Sequence, residues 1–189
     1  HCARRERPIR LFGAVIDMRT RILLASMVAV ALAACGDDDG STGASSQPLP
    51  GDPGYVRDPA LNVELTSAAG SADSHEMGNN CMYCHQKYGG GPGLFTAAGT
   101  LYDLTTDQPR TDAVVEIRSA PAGEGDLLTA IEVDTLGNFY TTAPLPIPES
   151  ELFVFVRGST TSKEMPFPTS SLACNYCHTP AIRVNVDGP

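Results

Sequence analysis

The sequence predicts an all-β fold, a single antiparallel β-sandwich, and three observations predict it. Short runs rich in β-branched and aromatic residues recur at 95–102, 113–118, 127–133, 139–142, 152–156 and 182–186, separated by turn residues. Val115 and Ile117 alternate with Glu116, and Ile131 and Val133 with Glu132, the period-two pattern of strands with one wet face. The string Asp134-Thr135-Leu136-Gly137-Asn138 reads as a hairpin turn in which Gly or Asn adopts positive φ. No polar residue interrupts Leu152-Phe153-Val154-Phe155-Val156, so that strand is expected to be buried on both sides.

Ahead of these strands the chain divides by composition. Residues 1–34 read as an upstream stretch followed by a signal peptide: Met18-Arg19-Thr20-Arg21 is basic, 22–32 is apolar, and the run closes on Leu32-Ala33-Ala34-Cys35-Gly36. The apolar run is too short to cross a bilayer as a helix. Leu32 to Cys35 resembles the bacterial lipobox, so Cys35 is the expected lipidation site; each buried acyl methylene contributes about 0.8 kcal/mol of membrane affinity. The start is expected at Met18, and the residues before it, Cys2 included, are given no role. Residues 35–72, with Asp37-Asp38-Asp39 and frequent Gly, Ser, Thr and Pro, are expected to form a flexible, disordered tether. The remaining segments are expected at 73–94, 95–162 and 163–189: a first cysteine-bearing loop, the sandwich, and a second such loop with the last strand.

From Cys35 onward the chain holds 155 residues, one domain's worth, with seven of the thirteen cations and twenty of the twenty-two acids, a formal charge of −13. That balance argues against nucleic acid, which needs clustered Lys and Arg. A basic redox partner or a cationic mineral surface would be attracted at low salt. The same charge also keeps an exported protein soluble.

The chemistry lies in two strings, Cys81-Met82-Tyr83-Cys84-His85 and Cys174-Asn175-Tyr176-Cys177-His178, each reading C-x-x-C-H. Two thiols followed at once by an imidazole are what covalent c-type haem attachment requires. Cys81, Cys84, Cys174 and Cys177 would bond the porphyrin vinyls, and His85 and His178 would take one axial position on each iron. Zinc ribbons, redox C-x-x-C sites and local disulfides share part of the pattern. The adjacent histidine in both copies, in a chain with four histidines in all, favours two covalently bound haem c groups.

His75 precedes Cys81 by six residues, and the intervening chain is long enough to carry its imidazole to the far face of the first haem. It is the candidate sixth ligand there, against the alternatives of a surface histidine or a ligand to the second haem or to a neighbouring molecule. For the second haem the internal candidate is Met165, nine residues before Cys174. A thioether there would raise the potential relative to bis-imidazole iron, although methionine also serves as core filler. Between the first motif and the strands, Gly89-Gly90-Gly91-Pro92-Gly93 breaks any regular structure.

The strings Gly99-Thr100-Leu101-Tyr102, Asp112-Ala113-Val114-Val115-Glu116-Ile117 and Asp134-Thr135-Leu136-Gly137-Asn138-Phe139-Tyr140 resemble the carboxypeptidase regulatory-like (transthyretin-like) domain over about 95–157. In that family a Gly-x-Val/Leu strand leads to an Ala-x-Val strand and an Asp-x-x-Gly-x-Phe hairpin. The resemblance implies a transthyretin-like or immunoglobulin-like scaffold without peptidase activity. The layout as a whole is also similar to small exported multihaem cytochromes of anaerobic, metal-respiring bacteria.

The expected function is therefore electron transfer by a lipid-anchored dihaem cytochrome of the bacterial cell envelope, on its periplasmic or outer-membrane face. Its partners would be other redox proteins or an extracellular acceptor. The two haems are expected to be neighbours held on rigid strands. Two alternatives stand beside this: a haem enzyme or sensor with an open axial site at the second haem, and a β-sandwich binding module with a four-thiolate zinc site. Donation of a missing axial ligand between subunits would give a homo-oligomer or an open filament.

Overall fold

The computed structural model describes residues 48–103, 105–179 and 182–186. The expected signal peptide and Cys35 lie outside them. Seven strands are seen among the described residues: β1 Ala97–Asp103, β2 Val114–Arg118, β3 Leu127–Glu132, β4 Asn138–Thr141, β5 Phe153–Arg157, β6 Ser162–Glu164 and β7 Val184–Val186. They form a three-stranded sheet ordered β4-β1-β7 and a four-stranded sheet ordered β3-β2-β5-β6. One apolar core takes residues from both, including Ala97, Leu101, Phe139 and Val186 from the first and Val115, Ile117, Ile131, Val154 and Val156 from the second. The fold is mostly β, consistent with the expected sandwich.

Several local expectations meet a tertiary correction. Not every pair is antiparallel: β7 runs parallel to β1, with Leu101 opposite Val184. The turn at 134–138 forms, with Gly137 at φ 76° and Asp134 Oδ1 accepting the N–H groups of Leu136 and Asn138. It does not close a paired hairpin, however, because β3 and β4 belong to different sheets. Glu116 does not face water. Its strand is flanked by β3 and β5, so its carboxylate is covered by neighbouring side chains and accepts from Arg157 Nε (2.5 Å) and Arg118 Nε (2.9 Å). Strand β6 carries no apolar signal because it is a polar edge held through backbone pairing with β5.

The tether expected over 35–72 does not extend that far. Ser67 is buried, its N–H donates to Tyr140 O (2.9 Å), and Thr142 N–H donates to Leu65 O (2.8 Å). Residues 65–67 thus run along β4 as a short extra strand segment, with Thr66 opposite Thr141. Earlier still, the guanidinium of Arg57 donates to the carbonyls of Gly89 (2.5 Å), Gly91 (2.5 Å) and Leu61 (3.0 Å). Composition shows low apolar content here. It does not show that an extended polar segment finds a sheet edge to pair with.

Candidate functional site

Each C-x-x-C-H string folds as one helical turn, α1 at Cys81–Cys84 and α2 at Cys174–Cys177. The spacing of three places both sulfurs of a motif on one side of that turn. The copies match in detail. The histidine N–H closes each turn on the first cysteine carbonyl, His85 to Cys81 O at 3.1 Å and His178 to Cys174 O at 2.8 Å. The residue after the first cysteine, Met82 or Asn175, is buried, whereas Tyr83 and Tyr176 are exposed. In α1 the turn is capped by Asn80, whose side chain accepts the Met82 N–H.

The two imidazoles are oriented in the same way. His85 Nδ1 lies 2.5 Å from Pro92 O, and His178 Nδ1 lies 3.1 Å from Ile182 O. A carbonyl oxygen only accepts, so Nδ1 is the donor in both rings, and Nε2 is the ring nitrogen left free of that bond. His85 is buried and stacks on Phe95 with centroids 4.1 Å apart and planes 5° from parallel; Phe95 stacks in turn on Tyr140 at 4.9 Å. A Cβ on Gly91 would come within 2.8–3.0 Å of the His85 ring, so the glycine run lets backbone close over the imidazole. Burial lowers the His85 pKa against the opposing bond to Pro92 O, and the His75 and Arg57 charges lower it further.

His75 is brought to this place. Its ring centroid lies 5.9 Å from that of His85, with the planes 40° apart, and His75 itself is exposed. Met165 goes elsewhere: it packs against the main core, and its N–H donates to Val154 O (2.9 Å), the filler role open to a flexible thioether. Cys81 and Cys174 are half-buried and Cys177 is exposed, all three as free thiols. Burial raises the Cys81 pKa and pushes that of Cys174 up to about 12, so both are protonated at neutral pH. Cys84 is disulfide-bonded. Among the described residues no three His, Cys, Asp or Glu side chains converge as a four-thiolate zinc centre would need.

The motifs are neighbours. Both α1 and α2 contact β1, and Asn175 of the second motif donates to Asn79 O, two residues before Cys81, at 2.8 Å. Ala98 N–H donates to Leu172 O (3.0 Å), which seats the second motif alongside β1. Gly99 makes that seat possible, because a Cβ there would lie 2.8 Å from Cys174 Cβ and 2.6 Å from Phe139 Cζ. Sequence reading missed Asn175, Thr100, Asn138 and Arg57 as site-building residues. The available signals were an amide within a haem-type motif and a lone arginine in a Pro- and Gly-rich stretch, and neither names its partner. No helix among the described residues is long and apolar enough to cross a membrane. Comparison with protein-family models, with curated proteins and with solved structures finds no match for this chain.

Proposed function

We propose that this chain is an exported, lipid-anchored electron-transfer protein carrying two covalently bound haem c groups on a transthyretin-like β-sandwich. The observation that carries the reading is the repeated local geometry of the two C-x-x-C-H turns. In each, the imidazole donates through Nδ1 to a backbone carbonyl and leaves Nε2 free of that bond, the arrangement that orients metal-binding histidines. The 5.9 Å between the His75 and His85 ring centroids supports His75 as a second residue that would hold the iron of the first site. Tyr83, Tyr88, Leu94, Tyr176 and Ile182 expose apolar surface around the motifs, of the kind a porphyrin would cover.

Bound haem c supplies one-electron transfer at its iron. The chain's own residues would hold that iron through His85 and His178, exclude water from the His85 side through Phe95 and Gly91, and keep the two sites rigid on β1. Partners would be basic redox proteins or an external acceptor drawn to an acidic surface. The test is to express the full chain in a host that attaches haem c and to record the optical spectrum and intact mass. Reduced c-type bands and a gain of two haems per chain are expected, with one lost in Cys81→Ser/Cys84→Ser and one in Cys174→Ser/Cys177→Ser. A colourless product weighing only polypeptide and lipid overturns the proposal.

A further inference from the structure

A buried polar network joins four stretches of chain that are distant in sequence. Thr100 Oγ1 donates to Asn138 Oδ1 (2.7 Å) and accepts from Asn175 Nδ2 (2.9 Å) and the Gly78 N–H (3.0 Å). Asn175 Oδ1 accepts the Thr100 N–H (3.0 Å), while its Nδ2 also donates to Asn79 O (2.8 Å). Asn138 Nδ2 donates to Ser74 Oγ (2.9 Å) and to His75 O (3.3 Å). Thr100, Asn138 and Asn175 are all buried. A buried polar group without its partner is costly, so each member admits only one placement of the others. The network therefore selects one path for the segment carrying His75 into the first motif, and one seat for the second motif against the same strand.

His85 is held independently, by Pro92 O, Phe95 and the Gly91 backbone. Loss of the network should release His75 and leave His85 in place. We propose that Thr100, Asn138 and Asn175 are positioning residues that hold the His75 imidazole opposite His85, so that axial ligation at the first haem depends on a side chain inside the second motif. The inference rests on the haem reading above.

The test uses the haem-loaded full chain and the variants His75→Ala, Thr100→Val, Thr100→Ser, Asn175→Leu and Asn175→Asp. The last keeps the acceptor for the Thr100 N–H and removes only the amide donors. Haem per chain, the low-spin bis-imidazole paramagnetic resonance signal, and carbon monoxide binding by the reduced protein are measured. Thr100→Val and Asn175→Leu, or Asn175→Asp where Asn175→Leu does not fold, should retain two haems. Like His75→Ala, they should lose the bis-imidazole signal and bind carbon monoxide at one further haem per chain. Thr100→Ser should restore the wild-type signal. A bis-imidazole signal unchanged in Thr100→Val and Asn175→Asp, or unchanged in His75→Ala, overturns the inference while leaving the haem reading intact. A wild-type chain without haem overturns the reading itself.

Discussion

Gly99→Ala probes the point at which the sheet and the second motif meet. The added Cβ would lie 2.6 and 2.8 Å from two atoms of the Phe139 ring and 2.8 Å from Cys174 Cβ, where ordinary carbon contacts are about 3.5–4.0 Å. Neither neighbour yields easily. Phe139 is buried in the main core on β4, whose backbone pairs with β1 at this residue, and Cys174 is tethered by the Ala98–Leu172 bond and by Asn175. Overpacking of this kind costs about 1–3 kcal/mol. With a urea dependence of about 2 kcal/mol/M, the midpoint should fall by about 0.5–1.5 M. Amide exchange should locate the damage, with the Ala98 N–H losing protection as the second motif lifts from β1. Gly158→Ala is the control, since its Cβ would meet Val186 Cγ1 at 3.2 Å and Thr161 O at 3.4 Å, and should lose under about 1 kcal/mol. A Gly99→Ala protein that unfolds with the wild type, or loses no more than the control, would refute the packing argument.

Three further outcomes are expected. Glu116→Gln should cost about 1–2 kcal/mol at pH 7. The bond from Arg157 holds the Glu116 pKa below its ordinary 4.5, so this stabilisation is present above that pH and lost as pH falls through the folded value. Urea midpoints of the two proteins should therefore converge in acid, and a gap as wide at pH 3 as at pH 7 would contradict the assignment. Arg57→Ala should cost about 1–3 kcal/mol and speed exchange of the Gly91 and Gly93 amides, which Arg57 steadies through the loop carbonyls. A chain beginning at residue 73 should be less stable than one beginning at residue 48 by about 3 kcal/mol, because it lacks the bonds of Leu65 and Ser67 to the β4 edge. Equal midpoints would restore the tether reading for 48–72.

What sequence alone determined here is what neighbours along the chain can decide. The run Val114 to Arg118 forms a strand because alternating β-branched residues suit a pleated surface, and Asp134 to Asn138 turns because an aspartate caps its own backbone beside a glycine. Likewise, the three-residue step between cysteines closes a helical turn in both motifs. Tertiary structure decided which sheet β3 and β4 each join, that Glu116 is covered, and that Arg57 and Ser67 belong to the folded body. It also brought His75 beside His85 and Asn175 onto Thr100, the latter pair 75 residues apart in the chain. Such contacts depend on side chains meeting across packed elements, where a buried amide or carboxylate takes whichever partner the fold delivers, and no local pattern records that choice.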